Sequence, residues 1–119
     1  MDIMVTEKDG AVVIQAPENS LDAGNAPQFK REAADAAGGW ELALIDLSPL
    51  EFIDSSGLGA LLSIFRAQRL KGGDLRLFGA GRAVRVILEL VRLNRVVAIH
   101  ETLEDALAGA VGARADNGD

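Results

Sequence analysis

The chain has no cysteine and one histidine, which excludes disulfide bonds, thiolate metal sites and histidine-rich metal clusters. Oxygen-only Mg²⁺ binding stays open. Aromatic residues make up 4% of the 119 residues and none is tyrosine, so the stacked platform on which single-stranded nucleic acid is held is missing. No apolar run approaches the roughly 20 residues that a membrane-spanning helix needs. The start, MDIMVTEKDG, has neither the basic block nor the apolar block of a secretory signal. The expectation is a cytoplasmic protein without a nucleic-acid or membrane partner. With 49% apolar and 25% charged residues, the composition is that of one globular domain with a real core.

The net charge of −6 is unevenly spread. Residues 1–54 carry eleven acids and three bases, whereas residues 66–95 carry eight bases (Arg66, Arg69, Lys71, Arg76, Arg82, Arg85, Arg92, Arg95) against Asp74 and Glu89. Solvated helix faces explain the basic segment most simply, and docking to a charged protein surface is the alternative.

Residues 3–6 and 11–16 are apolar and β-branched around Lys8-Asp9-Gly10, which predicts an opening hairpin. A helix then follows Leu21-Asp22, with Pro27 in its first turn and Gly38-Gly39 as its stop. Residues 42–47 read as a strand covered on both faces. Leu58, Leu61, Leu62 and Phe65 repeat at helical spacing, and Lys71-Gly72-Gly73-Asp74 ends that helix. Residues 75–78 form the next strand and Gly79-Ala80-Gly81 a tight turn. Val84, Ile87, Leu88 and Val91 mark a third helix, on which Arg85 and Glu89 can pair across one turn. A strand over 96–99 and a short helix after Thr102, opened by a capping box to Asp105, complete an order of β-β-α-β-α-β-α-β-α. This is an α/β fold with a mixed β-sheet and about four α-helices, covering residues 1–111, with a disordered tail over 112–119.

The segment Ile53-Asp54-Ser55-Ser56-Gly57-Leu58-Gly59 lies at the carboxyl end of the strand Leu-Ala-Leu-Ile-Asp-Leu, where α/β sheets build their sites. The strand-end Asp46 and the loop acids Asp22 and Asp54 belong to the same edge, and Gly57 and Gly59 leave the backbone of the helix start approachable. Helix capping is the plain explanation of the hydroxyls. A serine nucleophile would need G-x-S-x-G and a base, but the motif is absent and His100 is the only imidazole, read as a strand-end residue with a satisfied hydrogen bond. A dinucleotide site at Gly79-Ala80-Gly81 lacks its third small residue, since Val84 occupies that place. The remaining chemistry is a serine that is itself a substrate. Phosphate there adds about 1.5 to 2 negative charges against the positive end of a helix dipole.

From about Val12 to Leu107 the chain resembles the STAS domains of anti-sigma factor antagonists. The resemblance is carried by Asp46-Leu47-Ser48 with Phe52-Ile53-Asp54-Ser55-Ser56-Gly57-Leu58-Gly59, close to D-L-S…F-x-D-S-[ST]-G-L-G. Leu21-Asp22-Ala23, residues 72–77 and residues 88–93 support it. A departure lies at Asn19-Ser20, where the family often has Gly-Glu. The resemblance implies a non-enzymatic binding module in partner-switching signalling. Its unphosphorylated form would sequester an anti-sigma factor serine kinase, phosphorylation of Ser55 would release it, and a PP2C-type, metal-dependent phosphatase would reset it. Asp22, Asp46, Asp54, Ser56, Gly57, Leu58 and Gly59 would shape the site. The chain would need no metal or cofactor of its own, because the kinase brings ATP and Mg²⁺, and it would be a monomer or weak dimer. The same domain type also serves in lipid transporters, stress-sensing assemblies and signalling branches without a sigma factor.

Overall fold

Sheet formation starts at a tight turn in which Asp9 and Gly10 both take positive φ, 52° and 82°. This geometry reverses the chain with the twist that paired strands require. Lys8 therefore stands opposite Ala11, and β1 (Val5–Lys8) pairs antiparallel with β2 (Ala11–Gln15). The computed structural model describes residues 3–109, so the tail expected over 112–119 lies outside the described residues.

After β2 come β3 (Asn19–Leu21), α1 (Ala26–Ala37), β4 (Leu42–Asp46), β5 (Leu50–Ile53) and α2 (Ser55–Leu70). β6 (Asp74–Phe78), α3 (Arg82–Leu90), a 3₁₀ turn (Leu93–Arg95), β7 (Ala98–His100) and α4 (Leu103–Ala108) follow. The main sheet has the order β1-β2-β4-β6-β7, and every pairing after the hairpin is parallel. Because the order advances steadily from β2, right-handed crossovers bring α1, α2 and α3 to one face. Ile14, Ile45 and Leu77 of the strands share the main core there with Phe29, Leu61 and Leu88 of the helices. On the opposite face Ala106 of α4 packs with Ala11, Leu44 and Phe78. No helix among the described residues is long and apolar enough to cross a membrane.

The expected mixed sheet and four helices are present, with four corrections. β3 and β5 form a separate parallel pair that periodicity does not reveal. Each is only three or four residues long, and exposed Asn19, Glu51 and Phe52 break the apolar pattern. The hairpin register moves β1 from the expected 3–6 to Val5–Lys8. The last strand begins at Ala98 rather than at residue 96, because Leu93 O accepts from both Val96 N and Val97 N and keeps the chain turning. Arg76 belongs to no solvated face. Leu75 and Leu77 point into the main core, so strand alternation sends Arg76 to the opposite face, where it is 1% exposed and donates to Ala106 O.

The buried side of α2 is Gly57, Ala60, Leu61, Ile64, Phe65 and Gln68, while Leu58 and Leu62 are only half-buried. Small residues lead this face because α2 enters directly over β3. A Cβ at position 57 would overlap the carbonyl oxygen of Leu21 and stand 2.7 Å from Ile53 Cγ1, whereas one at position 59 would meet nothing within 4 Å. Gly57→Ala should therefore cost about 2 kcal/mol or more, since backbone cannot move aside as a side chain does. Gly59→Ala, on the exposed side of the same turn, should stabilise by about 0.5–1 kcal/mol. Urea unfolding of the two variants checks the pair, and equal effects would contradict the seating of α2 through Gly57.

Candidate functional site

β5 delivers the chain to Asp54 in extended conformation, φ −108° and ψ −173°, immediately before α2. Its N–H donates to Leu21 O at 3.2 Å. Its carboxylate then joins two pieces of backbone. Oδ1 accepts from Gly57 N at 3.0 Å, capping the helix, and Oδ2 accepts from Ala23 N at 3.2 Å, tying down the loop that precedes α1. The cap is thus Asp54, and neither serine shares that role.

Ser55 is the first residue of α2 and Ser56 the second, one position later than a cap at Ser55 would place them. Both are exposed, and neither hydroxyl makes a hydrogen bond among the described residues. Helix capping therefore does not explain the two hydroxyls, because Asp54 has already taken the Gly57 amide. Two free hydroxyls therefore stand at the positive end of a sixteen-residue helix.

The loop on the other side of Asp54 is ordered from within. Asp22 Oδ2 accepts from Ser20 Oγ at 2.7 Å and Oδ1 accepts from Gly24 N at 2.9 Å. Asn25 Oδ1 accepts from Asp22 N, and Asn25 Nδ2 donates to Ser20 O, both at 2.9 Å. The Ser20 hydroxyl first, and then the Gly24 amide, hold the Asp22 carboxyl below its ordinary value. Ser20, which stands where the family often has Glu, thus has a local task.

The structure brings Asp22, Asp54, Ser55, Ser56 and Gly57 into one connected stretch. Asp46 lies apart from that network: its Oδ1 accepts from Ser48 N at 2.9 Å and faces the Gly79 turn. Leu58 is half-buried and Gly59 is exposed. Gly59 and Ser56 line a groove of about 230 Å³ between α1 and α2, together with Pro27, Lys30 and Ser63. Lys30 was not singled out from sequence. The available signal was its sign, as one of three bases among the first 54 residues.

The Gly79 turn has its own structural reason. Gly79 has φ +80°, and a Cβ there would lie 3.0 Å from Asp46 Oδ1. It borders a cavity of about 770 Å³ that Arg85, Asn94, His100 and Glu101 also line. Arg85 pairs with Glu101 at 3.7 Å and not with Glu89 as the helical spacing suggested. His100, expected to have a satisfied hydrogen bond, has a buried Nε2 with no partner. No hydrogen bond links it to either serine among the described residues.

This arrangement has known counterparts. The STAS domain family matches residues 2–106. A Thermotoga neapolitana protein whose name places it with the anti-sigma factor antagonists is 33% identical over 103 residues, 85% of this chain and 91% of the relative. The solved structure of an anti-sigma factor antagonist from Mycobacterium paratuberculosis superposes with a TM-score of 0.78 at 27% identity, covering 89% of this chain and 90% of the other. The unphosphorylated form of the anti-sigma factor antagonist SpoIIAA shares the fold at 22% identity, with a TM-score of 0.71 and coverage of 89% and 93%. The Bacillus SpoIIAA structure in the phosphorylated form has a TM-score of 0.65 at 22% identity, covering 89% and 96%. With nearly the whole described chain matched by one family, the conclusion is direct: the chain belongs to the STAS domain family.

Proposed function

We propose that this chain is an anti-sigma factor antagonist that binds its partner when unmodified and is released by phosphorylation of Ser55. The observation that carries the reading is Ser55 itself, an exposed and unbonded hydroxyl at the first position of α2, beside a carboxylate already committed to holding the site. Such a hydroxyl is open to a kinase. The partner is an anti-sigma factor that is also a serine kinase and brings ATP and Mg²⁺, and a PP2C-type phosphatase removes the phosphate.

Electrostatics gives the two states opposite consequences in the free protein and in the complex. In the free protein a phosphate on Ser55 gains about 0.3–1 kcal/mol from the helix end, so the fold is kept. SpoIIAA, solved in both forms, supports a fold that accommodates either state. In a complex the same phosphate is stripped of water next to Asp54, which hydrogen-bonds to the Asp22–Gly24 loop. Like-charge juxtaposition at an interface costs several kcal/mol. About 3 kcal/mol is roughly a hundredfold in dissociation constant, enough to release a sub-micromolar partner.

Two expected outcomes follow from this reading. With the cognate kinase, mass spectrometry should find phosphate on Ser55 and still find it there in Ser56→Ala. Ser55→Ala should bind constitutively and Ser55→Asp weakly. Phosphate on Ser56 with Ser55 unmodified would overturn the assignment. The chain should also lack catalytic activity of its own. Rigorously purified protein incubated with ATP and Mg²⁺ should release no phosphate at a steady rate, and release abolished by Ser55→Ala would contradict the binding-module reading.

A further inference from the structure

The groove of about 230 Å³ between α1 and α2 starts at Ser56 and carries polar groups that the fold leaves unused. Its α2 wall is Ser56, Gly59, Ala60 and Ser63, one helical stripe about 10 Å long. Pro27 and Lys30 belong to its α1 wall. The polar neighbours of Lys30 are satisfied within α1, since Arg31 Nη1 donates to Pro27 O at 3.3 Å and Gln28 Nε2 donates to Glu32 Oε2 at 2.9 Å. Lys30 itself is exposed and has no hydrogen bond or ion pair among the described residues. The hydroxyls of Ser56 and Ser63 have no hydrogen bond among them either. Gly59 keeps the wall between the two serines low, because a Cβ there would meet nothing within 4 Å.

We propose, on the reading that an anti-sigma factor kinase acts at Ser55, that this groove receives one acidic side chain of that partner, with Lys30 as its counter-charge. Size favours a side chain over a free ligand, because small-molecule pockets start at about 300 Å³. Chemistry selects an acid. An ammonium group has donors and no acceptor, the serine hydroxyls add two further donors, and a carboxylate accepts from all three. The short aliphatic stem of Asp or Glu suits the apolar Pro27 and Ala60 beside them. Position selects the partner, since Ser56 belongs both to the groove and to the exposed serine pair at the start of α2. A protein that reaches Ser55 therefore meets the groove as well.

The charge around the groove gives Lys30 its selectivity. Residues 1–54 carry eleven acids against three bases, and Asp22 and Asp54 hold the loop that leads into α1. Lys30 is the only charged residue that lines the groove. A partner's acid is attracted to that one cation and repelled by the carboxylates near it, so a single register of docking is favoured over its neighbours.

The test is calorimetry of the unphosphorylated full chain with the anti-sigma factor kinase, without ATP, on variants whose urea unfolding shows the fold intact. Lys30→Glu should weaken binding about tenfold or more, and Lys30→Arg, which keeps the charge, by less than about threefold. The deficit of Lys30→Glu should shrink in about 1 M salt, where charges are screened within about 3 Å. Gly59→Leu, whose side chain starts in the open part of the groove, should also weaken binding about tenfold. Undiminished affinity of Lys30→Glu together with loss in Ser55→Asp overturns the groove proposal and leaves the Ser55 reading standing. Loss in Lys30→Glu with none in Ser55→Asp contradicts the Ser55 reading and keeps the groove. Sedimentation of the chain alone tests the other occupant: self-association that Lys30→Glu abolishes would assign the groove to a second copy and overturn the proposal.

Discussion

One carboxylate holds the described site together. Asp54 takes an amide from the first turn of α2 with one oxygen and an amide from the loop before α1 with the other. Its own N–H reaches back to Leu21. This leaves both serines with nothing to do structurally. Gly57 is the complement of that arrangement, because only a residue without a side chain lets α2 come down on the Leu21 carbonyl. A charged cap and a missing Cβ therefore fix the helix start, and the exposed hydroxyls at that start are consequences of both.

The topology explains why this start faces outward. Three crossover helices crowd one face of the sheet, so their N-termini open at the carboxyl edge of the parallel strands. β3 and β5 extend that edge as a small parallel pair and seat the loop and α2 side by side. The opposite face is organised differently. There a buried arginine is held by Asp74 and by a carbonyl of α4, and no described hydrogen bond links it to the serines.

Much of this was legible in the sequence where the pattern was long or chemically distinctive. The hairpin turn, the proline in α1 and the apolar spacing of α2 and α3 placed the main sheet and its helices, and the Asp-Ser-Ser-Gly run placed the site at a strand-to-helix junction. β3 and β5 were not legible, because three or four residues, with the apolar Phe52 exposed among them, carry no measurable period. Arg76 was counted as surface charge because composition has no direction. Only its place between two core leucines, read with the strand period, could have shown that it points inward. Assigning the cap to Asp54 required the hydrogen bonds themselves, since Asp and Ser are equally good caps by type. The Ala23 amide that completes the clamp lies 31 residues earlier in the chain, a separation no local pattern bridges.

The central claim is that phosphate on Ser55 leaves the domain intact and acts only in the complex. The direct measurement is made on protein phosphorylated stoichiometrically at Ser55, comparing its melting temperature and its affinity for the anti-sigma factor with those of the unmodified protein. A melting temperature within a few degrees together with an affinity lower by about a hundredfold is the predicted result. Undiminished affinity, or loss of affinity only through unfolding of the domain, would contradict it.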